Sequence, residues 1–221
     1  LAAGPTGAAI RAFEERKVDL VLGGTFADLP LTGAVRLPRG TLRFDPAAGL
    51  FGLVPTRADG PLADRAVRDL LDQSIDRAAL VNALGVPDLQ PRASILEAGL
   101  DGNIAPAVPA WGTQPLTERL PALAAEARRL FPRDAGDEPP VIRVAVPRSL
   151  GGALLLQRLR ADWGRLGIMV AHADEEEDAD LALVDRVAPS VSPAWFLRSF
   201  RCGAVPVCVP EANAPLEAAR E

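Results

Sequence analysis

Three clusters of residues have the types and spacing to do chemistry. His172, the only histidine, is followed by Asp174, Glu175, Glu176, Glu177 and Asp178. A cation could be held there, but calcium loops alternate their oxygen ligands around a glycine, and that spacing is missing. The run reads as a solvated turn that keeps a strand edge from pairing. Ser149-Leu150-Gly151-Gly152 follows an apolar run and opens a helix, which places its N–H groups to meet an anion. It lacks the Lys-Ser/Thr of a P-loop and the spacing of a dinucleotide fingerprint, so a plain strand-to-helix turn accounts for it. Cys202 and Cys208 make a C-x5-C pair. Two thiols are too few for a structural zinc, which takes four ligands. They read either as separate buried thiols or as a short-loop disulfide turned by Pro206. No G-x-S-x-G elbow and no H-E-x-x-H helix is present. The sequence therefore offers no catalytic residue, no metal site and no call for a cofactor.

The elements that must position these residues are legible from periodicity. Val141–Val146 reads as a strand, Leu150–Leu166 as a helix with Leu154, Leu155, Leu159, Trp163 and Leu166 inward, and Gly167–Ala171 as a second strand. A strand, helix and strand of these lengths form a right-handed crossover with parallel strands. Asp180–Val184 is a third strand. Upstream, Leu116–Phe131 is a helix with Leu120, Leu123, Ala124, Ala127 and Leu130 on one stripe. Between Gly85 and Pro115 the chain is a proline-rich traverse, in which Trp111 reads as a packing anchor.

The first part of the chain is built around Gly60–Val81. Pro61 is placed to begin a helix, and Ala63, Ala66, Val67, Leu70 and Leu71 fall on one face of it. Asp76 caps a second helix, Arg77–Leu84, which Gly85 and Pro87 end. Leu50–Val54 is the strand that leads into this pair. Ala8–Lys17 reads as a helix, Val18–Leu22 as a strand, and Arg36–Phe44 as extended edge pieces broken by Pro38 and Gly40.

At 221 residues, with a net charge of −5, the chain can bury a good core but has no basic surface for nucleic acid. No apolar run approaches the ~20 residues that span a bilayer. Opening on Leu1-Ala2-Ala3-Gly4-Pro5, the sequence reads as cut or processed, with any targeting segment removed.

The wording of the central stretch adds to this. Gly60-Pro61-Leu62-x-Asp64-x-x-Val67-Arg68-x-x-Leu71, followed by Ile75-Asp76-Arg77-x-x-Leu80-Val81, resembles the signature of the family 5 extracellular solute-binding proteins. These are the dipeptide- and oligopeptide-type receptors of bacterial ABC importers. Ala161-Asp162-Trp163-x-x-Leu166-Gly167-Ile168-x-Val170 is similar to a second stretch of that family, and Pro193-x-x-Phe196-Leu197 to a third.

The resemblance implies an α/β fold: one lobe of a two-lobed, type II-like periplasmic binding protein, with a mixed sheet flanked by helices. Residues 1–221 would be its second lobe, truncated at both ends, with the last helix at Pro215–Glu221. Within it, 1–85 holds the signature helix pair, 86–140 the traverse and a helix, and 141–210 the strand-helix-strand part. It also implies a Cys202–Cys208 disulfide. Ligand would be a small, peptide-like solute held in the cleft between lobes. The partner would be the membrane permease of an ABC importer, and the location periplasmic or extracellular, with a lipid anchor on the full-length protein.

Two loops of this lobe would line the cleft. After Val146, Arg148 is the nearest match to an arginine that meets a peptide carboxylate, with Ser149 beside it. After Val184, Asp185, Arg186, Ser190 and Ser192 are the candidates. In that second loop Ala188 or Ser192 falls where the family carries its amine-binding aspartate. A ligand amine would there lack a counter-ion, which is costly when buried, and an ordinary free-amine peptide is not expected. Two competing functions remain: a ligand-sensing domain of a transcription regulator built from the same module, and an unrelated α/β enzyme.

Overall fold

The computed structural model describes residues 3–45, 47–102 and 105–218. Four strands form one mixed sheet in the order β1-β4-β2-β3, with β1 at Gly49–Pro55, β2 at Val141–Ala145, β3 at Met169–Ala173 and β4 at Leu181–Val187. β2 is parallel to β3, pairing Ile142 with Val170, and parallel to β4, pairing Ala145 with Ala182. The crossover expected from the sequence is thus present, with α5 (Leu150–Gly164) as its helix. β1 joins from the far side, antiparallel to β4, with Leu53 opposite Leu183.

One face of the sheet carries the main core. Ile142, Val144 and Val146 pack there against Leu155, Leu156, Leu159 and Trp163 of α5. The same core takes in α2 (Arg65–Ser74), through Val67, Leu70 and Leu71, and α4 (Leu116–Leu130), through Leu123 and Ala127. Placing these stripes in one core removes the apolar surface of the sheet face and the three helices from water together. Across the sheet, Leu50 packs with Leu100 and with Phe196 of α6 (Pro193–Arg198).

The signature stretch owes its shape to two caps. Asp64 accepts the N–H of Ala66 at 2.8 Å and starts α2, while Asp76 accepts the N–H of Ala79 at 2.9 Å and starts α3 (Arg77–Leu84). Gly85 ends α3 in the left-handed conformation, φ 65°, that a glycine adopts without a Cβ clash. The α-helix does not begin at Pro61, as its type suggests. Pro61–Ala63 is a 3-10 turn that buries Leu62, and Asp64 supplies the side-chain cap that Pro61 lacks.

Other boundaries move by a few residues. The first helix is α1, Thr6–Glu14, rather than Ala8–Lys17, since Arg16 adopts a positive φ of 58° that no helix continues through. Val18–Leu22 forms no strand, and Leu20 and Leu22 are 68% and 78% exposed. Its apolar run is suited to a ladder, but no described segment lies beside it to accept its hydrogen bonds. Arg36–Phe44 likewise has no ladder partner. Among its described residues, the traverse from 86 to 115 is irregular apart from a 3-10 turn at Ala110–Thr113, as its prolines dictate. There the guanidinium groups of Arg77 and Arg119 lie 5.5 and 5.0 Å from the ring centre of Trp111. α7 spans Asn213–Ala218, and the end of the helix expected over Pro215–Glu221 lies outside the described residues.

Cys202 and Cys208 are joined in a disulfide, with their Cα atoms 5.1 Å apart. The Cys202 N–H is accepted by the Asn213 side chain at 3.2 Å, which ties the loop to α7.

Candidate functional site

The two ends of the sheet differ. At the amino end of the parallel strands, the buried carboxylate of Asp180 accepts the Arg143 N–H at 2.7 Å and pairs with Arg57, which follows β1. Thr56 donates from its backbone to the Asp180 carbonyl at 3.1 Å. This end is closed by hydrogen bonds to three strands. At the carboxyl end the strands diverge into loops, and parallel strands of this kind present their ligand sites there. The loop after β2 carries Arg148 and Ser149, and the end of β4 carries Asp185 and Arg186.

Each candidate side chain has a defined place. Ser149 is the N-cap of α5, its hydroxyl accepting the Gly152 N–H at 3.0 Å. The Gly151 N–H is taken by the carbonyl of Ala27 at 3.1 Å. Segment 26–27 therefore lies directly on this helix start. A Cβ on Gly151 would sit 2.2 Å from the Phe26 carbonyl oxygen, so the close approach requires glycine. The N–H groups that the sequence offered to an anion are engaged within the chain.

Arg148 is 74% exposed and pairs with Asp174, the residue after β3. That hydrogen bond, with the charge of Arg148 and of His172, holds the Asp174 carboxyl below the usual range. His172, a residue of β3, reaches from this pair to the end of the β2 segment. One ring nitrogen is 3.0 Å from the Val146 carbonyl and the other 3.2 Å from Asp174. The acidic run does not gather into a metal centre: no group of three metal-ligating side chains is found among the described residues.

Asp185 and Arg186 point to opposite faces, as neighbours in a strand must. The Arg186 guanidinium lies 5.5 Å over the ring of Trp195, on the α6 side of the sheet. Asp185 stands opposite Phe51 of β1, on the α5 side. Phe51 meets Phe26 edge-on, with ring centres 4.7 Å apart and planes at 65°. Removal from water raises the Asp185 carboxyl above the usual range. It makes no ion pair or hydrogen bond with any other described residue. Ser190 is exposed, and Ser192 is the N-cap residue of α6 without a side-chain capping bond.

The structure thus brings Arg148, Ser149 and Asp185 to one edge and one face, and places Arg186 on the other. Sequence reasoning missed Phe26 and Phe51. The alternation that puts Leu53 in the core could have assigned Phe51 to that face, but only the fold brings Phe26 to it.

No family model and no curated protein matches the sequence. Solved structures do. OppA of Burkholderia pseudomallei aligns over 97% of this chain and 44% of its own, with a TM-score of 0.76 at 16% identity. The substrate-binding domain of an oligopeptide ABC transporter from Bacillus anthracis aligns over 97% of this chain and 44% of its own, with a TM-score of 0.63 at 14% identity. NikA of Brucella suis, solved in complex with Fe(III)-EDTA, covers 91% of this chain and 44% of its own at a TM-score of 0.62 and 18% identity. These likenesses establish a shared fold. The chain spans less than half the length of the structures it matches. Its fold is that of one lobe of a periplasmic binding protein, with the mixed sheet and flanking helices that the resemblance implies.

Proposed function

We propose that this chain is the ligand-binding lobe of a periplasmic receptor that captures a small, peptide-like solute for an ABC importer. The observation that carries the reading is the open carboxyl edge of the sheet. It lies in a lobe whose fold extends through 97% of the chain in a similar receptor. Residues 1–221 act as the second lobe, with 1–85, 86–140 and 141–210 as its three sections. Arg148, Ser149 and Asp185 face the cleft, flanked by Ser190 and Ser192. Arg186 acts from the opposite face by steadying Trp195.

The lobe binds and does not catalyse. Enclosure comes from a second lobe closing over this edge, a hinge motion that holds the solute until the permease receives it. A disulfide persists in an oxidising compartment, which favours a periplasmic or extracellular receptor over a cytosolic sensor domain. Among the described residues no helix is long and apolar enough to cross a membrane.

Native mass spectrometry of the full-length gene product, purified from the periplasm, tests this. A small solute released on denaturation is the expected result. A protein that carries no solute and instead hydrolyses an added ester or amide would overturn the reading in favour of an enzyme.

A further inference from the structure

Arg119, in the first turn of α4, carries a charge that the fold surrounds without cancelling. Its Nε donates to the Gln114 carbonyl at 3.2 Å and its Nη1 to the Gln73 carbonyl, both neutral groups. Nη2 has no acceptor among the described residues, and Arg119 forms no ion pair with any of them. Its guanidinium shares the Trp111 indole with that of Arg77, so two like charges meet at one ring. Asp72, which offsets the charge of Arg119 in part, is itself held by Arg77. Burial, and then the neighbouring charge of Arg77, lower the Arg119 guanidinium from its usual range. A half-buried cation with only neutral partners keeps its capacity for an anion.

A cavity lies beside it. On α2, Ala66, Leu70 and Gln73 fall on one stripe, and on α4 Arg119, Ala122 and Leu123 do the same. The two stripes line a cavity of about 600 Å3. Leu70, Leu123 and the two alanines give it an apolar strip next to the guanidinium. Its acids do not supply the missing counter-charge. Asp69 pairs with Arg65, Glu126 pairs with Arg129, and Glu118 is exposed to solvent that screens it. A guanidinium takes a carboxylate through charge-assisted hydrogen bonds, and an apolar strip beside it takes an alkyl tail. One uncancelled positive charge matches the single negative charge of a carboxylate, and the acids of the rim oppose a dianion.

We infer that Arg119 and the groove between α2 and α4 form a further binding site, for a monocarboxylate with a short alkyl tail. The groove shares no residue with the carboxyl edge of the sheet, so it stands or falls apart from the receptor reading.

The probes are hexanoate, 1-hexanol and hexylammonium, added to the 15N-labelled chain and followed by amide chemical shifts. Hexanoate is expected to move the amides of Leu70, Gln73, Arg119 and Leu123 with an affinity about tenfold above that of 1-hexanol. Hexylammonium should bind no better than the alcohol. Arg119→Gln should bring hexanoate down to the level of the alcohol. Ala122→Glu adds a negative charge to the lining at an exposed position and leaves Arg119 and Trp111 in place. It should weaken hexanoate by about tenfold and leave the alcohol unchanged. Ala122→Gln, of the same size without the charge, should keep the preference. Equal affinities for hexanoate and 1-hexanol, or no shift from hexanoate at these amides, would overturn the site. Hexanoate binding that Ala122→Glu does not weaken would overturn it too, and this variant decides the matter should Arg119→Gln fail to fold. Shifts confined to residues 147–149 or 183–192 would place the carboxylate at the sheet edge instead and equally overturn the inference.

Discussion

The carboxylate of Asp162 accepts the backbone N–H of Asp76 at 3.0 Å, so the cap residue of α3 is itself anchored to α5. Asp162 is fully buried and holds Arg158 through two further bonds, at 3.0 and 2.6 Å. The indole of Trp163, its neighbour, donates to the Leu71 carbonyl at 3.2 Å. Two adjacent residues of α5 thereby fix the ends of both signature helices against the core.

Asp162→Ala should therefore cost about 3–5 kcal/mol of unfolding free energy, as losing one partner of a buried charge pair does. Arg165→Ala should cost under about 0.5 kcal/mol, because Arg165 is 3.9 Å away and half-exposed. Urea unfolding of both variants measures the contrast. Equal losses would show that Asp162 acts through packing rather than through its bonds.

Glycines in α5 separate into two kinds. Gly151→Ala drives a Cβ into the Phe26 backbone, and overpacking of this kind costs about 1–3 kcal/mol. Gly164→Ala meets nothing within 4 Å and should stabilise the helix by up to about 1 kcal/mol. Thermal unfolding of the two variants should shift in opposite directions.

The disulfide closes a short loop, with a sequence separation of 6. Chain entropy alone then gives a stabilisation of about 2 kcal/mol. Reduction, or Cys202→Ser with Cys208→Ser, should lower stability by no more than that. Hydrogen exchange should show the effect confined to residues 201–213, with β2, β3 and β4 still protected. Loss of protection in Val144 or Val170 would show instead that the loop braces the sheet.

Two carboxyls at the edge titrate in opposite directions. Asp174 is lowered in the folded chain, so the stability it contributes is present above its unfolded value and is lost as pH falls through the folded one. Asp185 is raised, so the folded chain holds its proton longer than the unfolded chain. Its effect on stability is neutral in acid and turns unfavourable as pH rises from the unfolded value through the folded one. Carboxyl-detected titration should place Asp185 above Asp174. Arg148→Ala should raise Asp174 and leave Asp185 where it is.

Much of this was readable from residue order, for physical reasons. Leu155, Leu159 and Trp163 recur at helical spacing because one face of α5 is buried from end to end. Asp76 and Gly85 bound α3 through local chemistry that needs no tertiary information. What escaped depends on contacts far apart in sequence. Val18–Leu22 has the pattern of a strand, but a ladder belongs to two segments. The antiparallel entry of β1 beside β4, which brings Phe51 to Asp185, leaves no trace in either segment alone. The engagement of α5's first N–H groups depends on where Phe26 and Ala27 pass. Ser149 was legible as a helix start, but its availability to a ligand was not.

The pairing of β1 with β4 also bears on the order of assembly. The unit from β2 through β4 is contiguous and closes mostly through near neighbours, whereas Thr56 meets the Ala179 carbonyl across 123 residues. Long closures of this kind are late events in folding, since their entropy is spent before their contacts form. The parallel core should acquire protection first and the β1 edge last. Pulse-labelled hydrogen exchange during refolding would show Val144 protected before Leu53, and the reverse order would refute it. A chain caught midway thus carries β4 as an open sheet edge, and Asp185 meets Phe51 only once the last strand has docked.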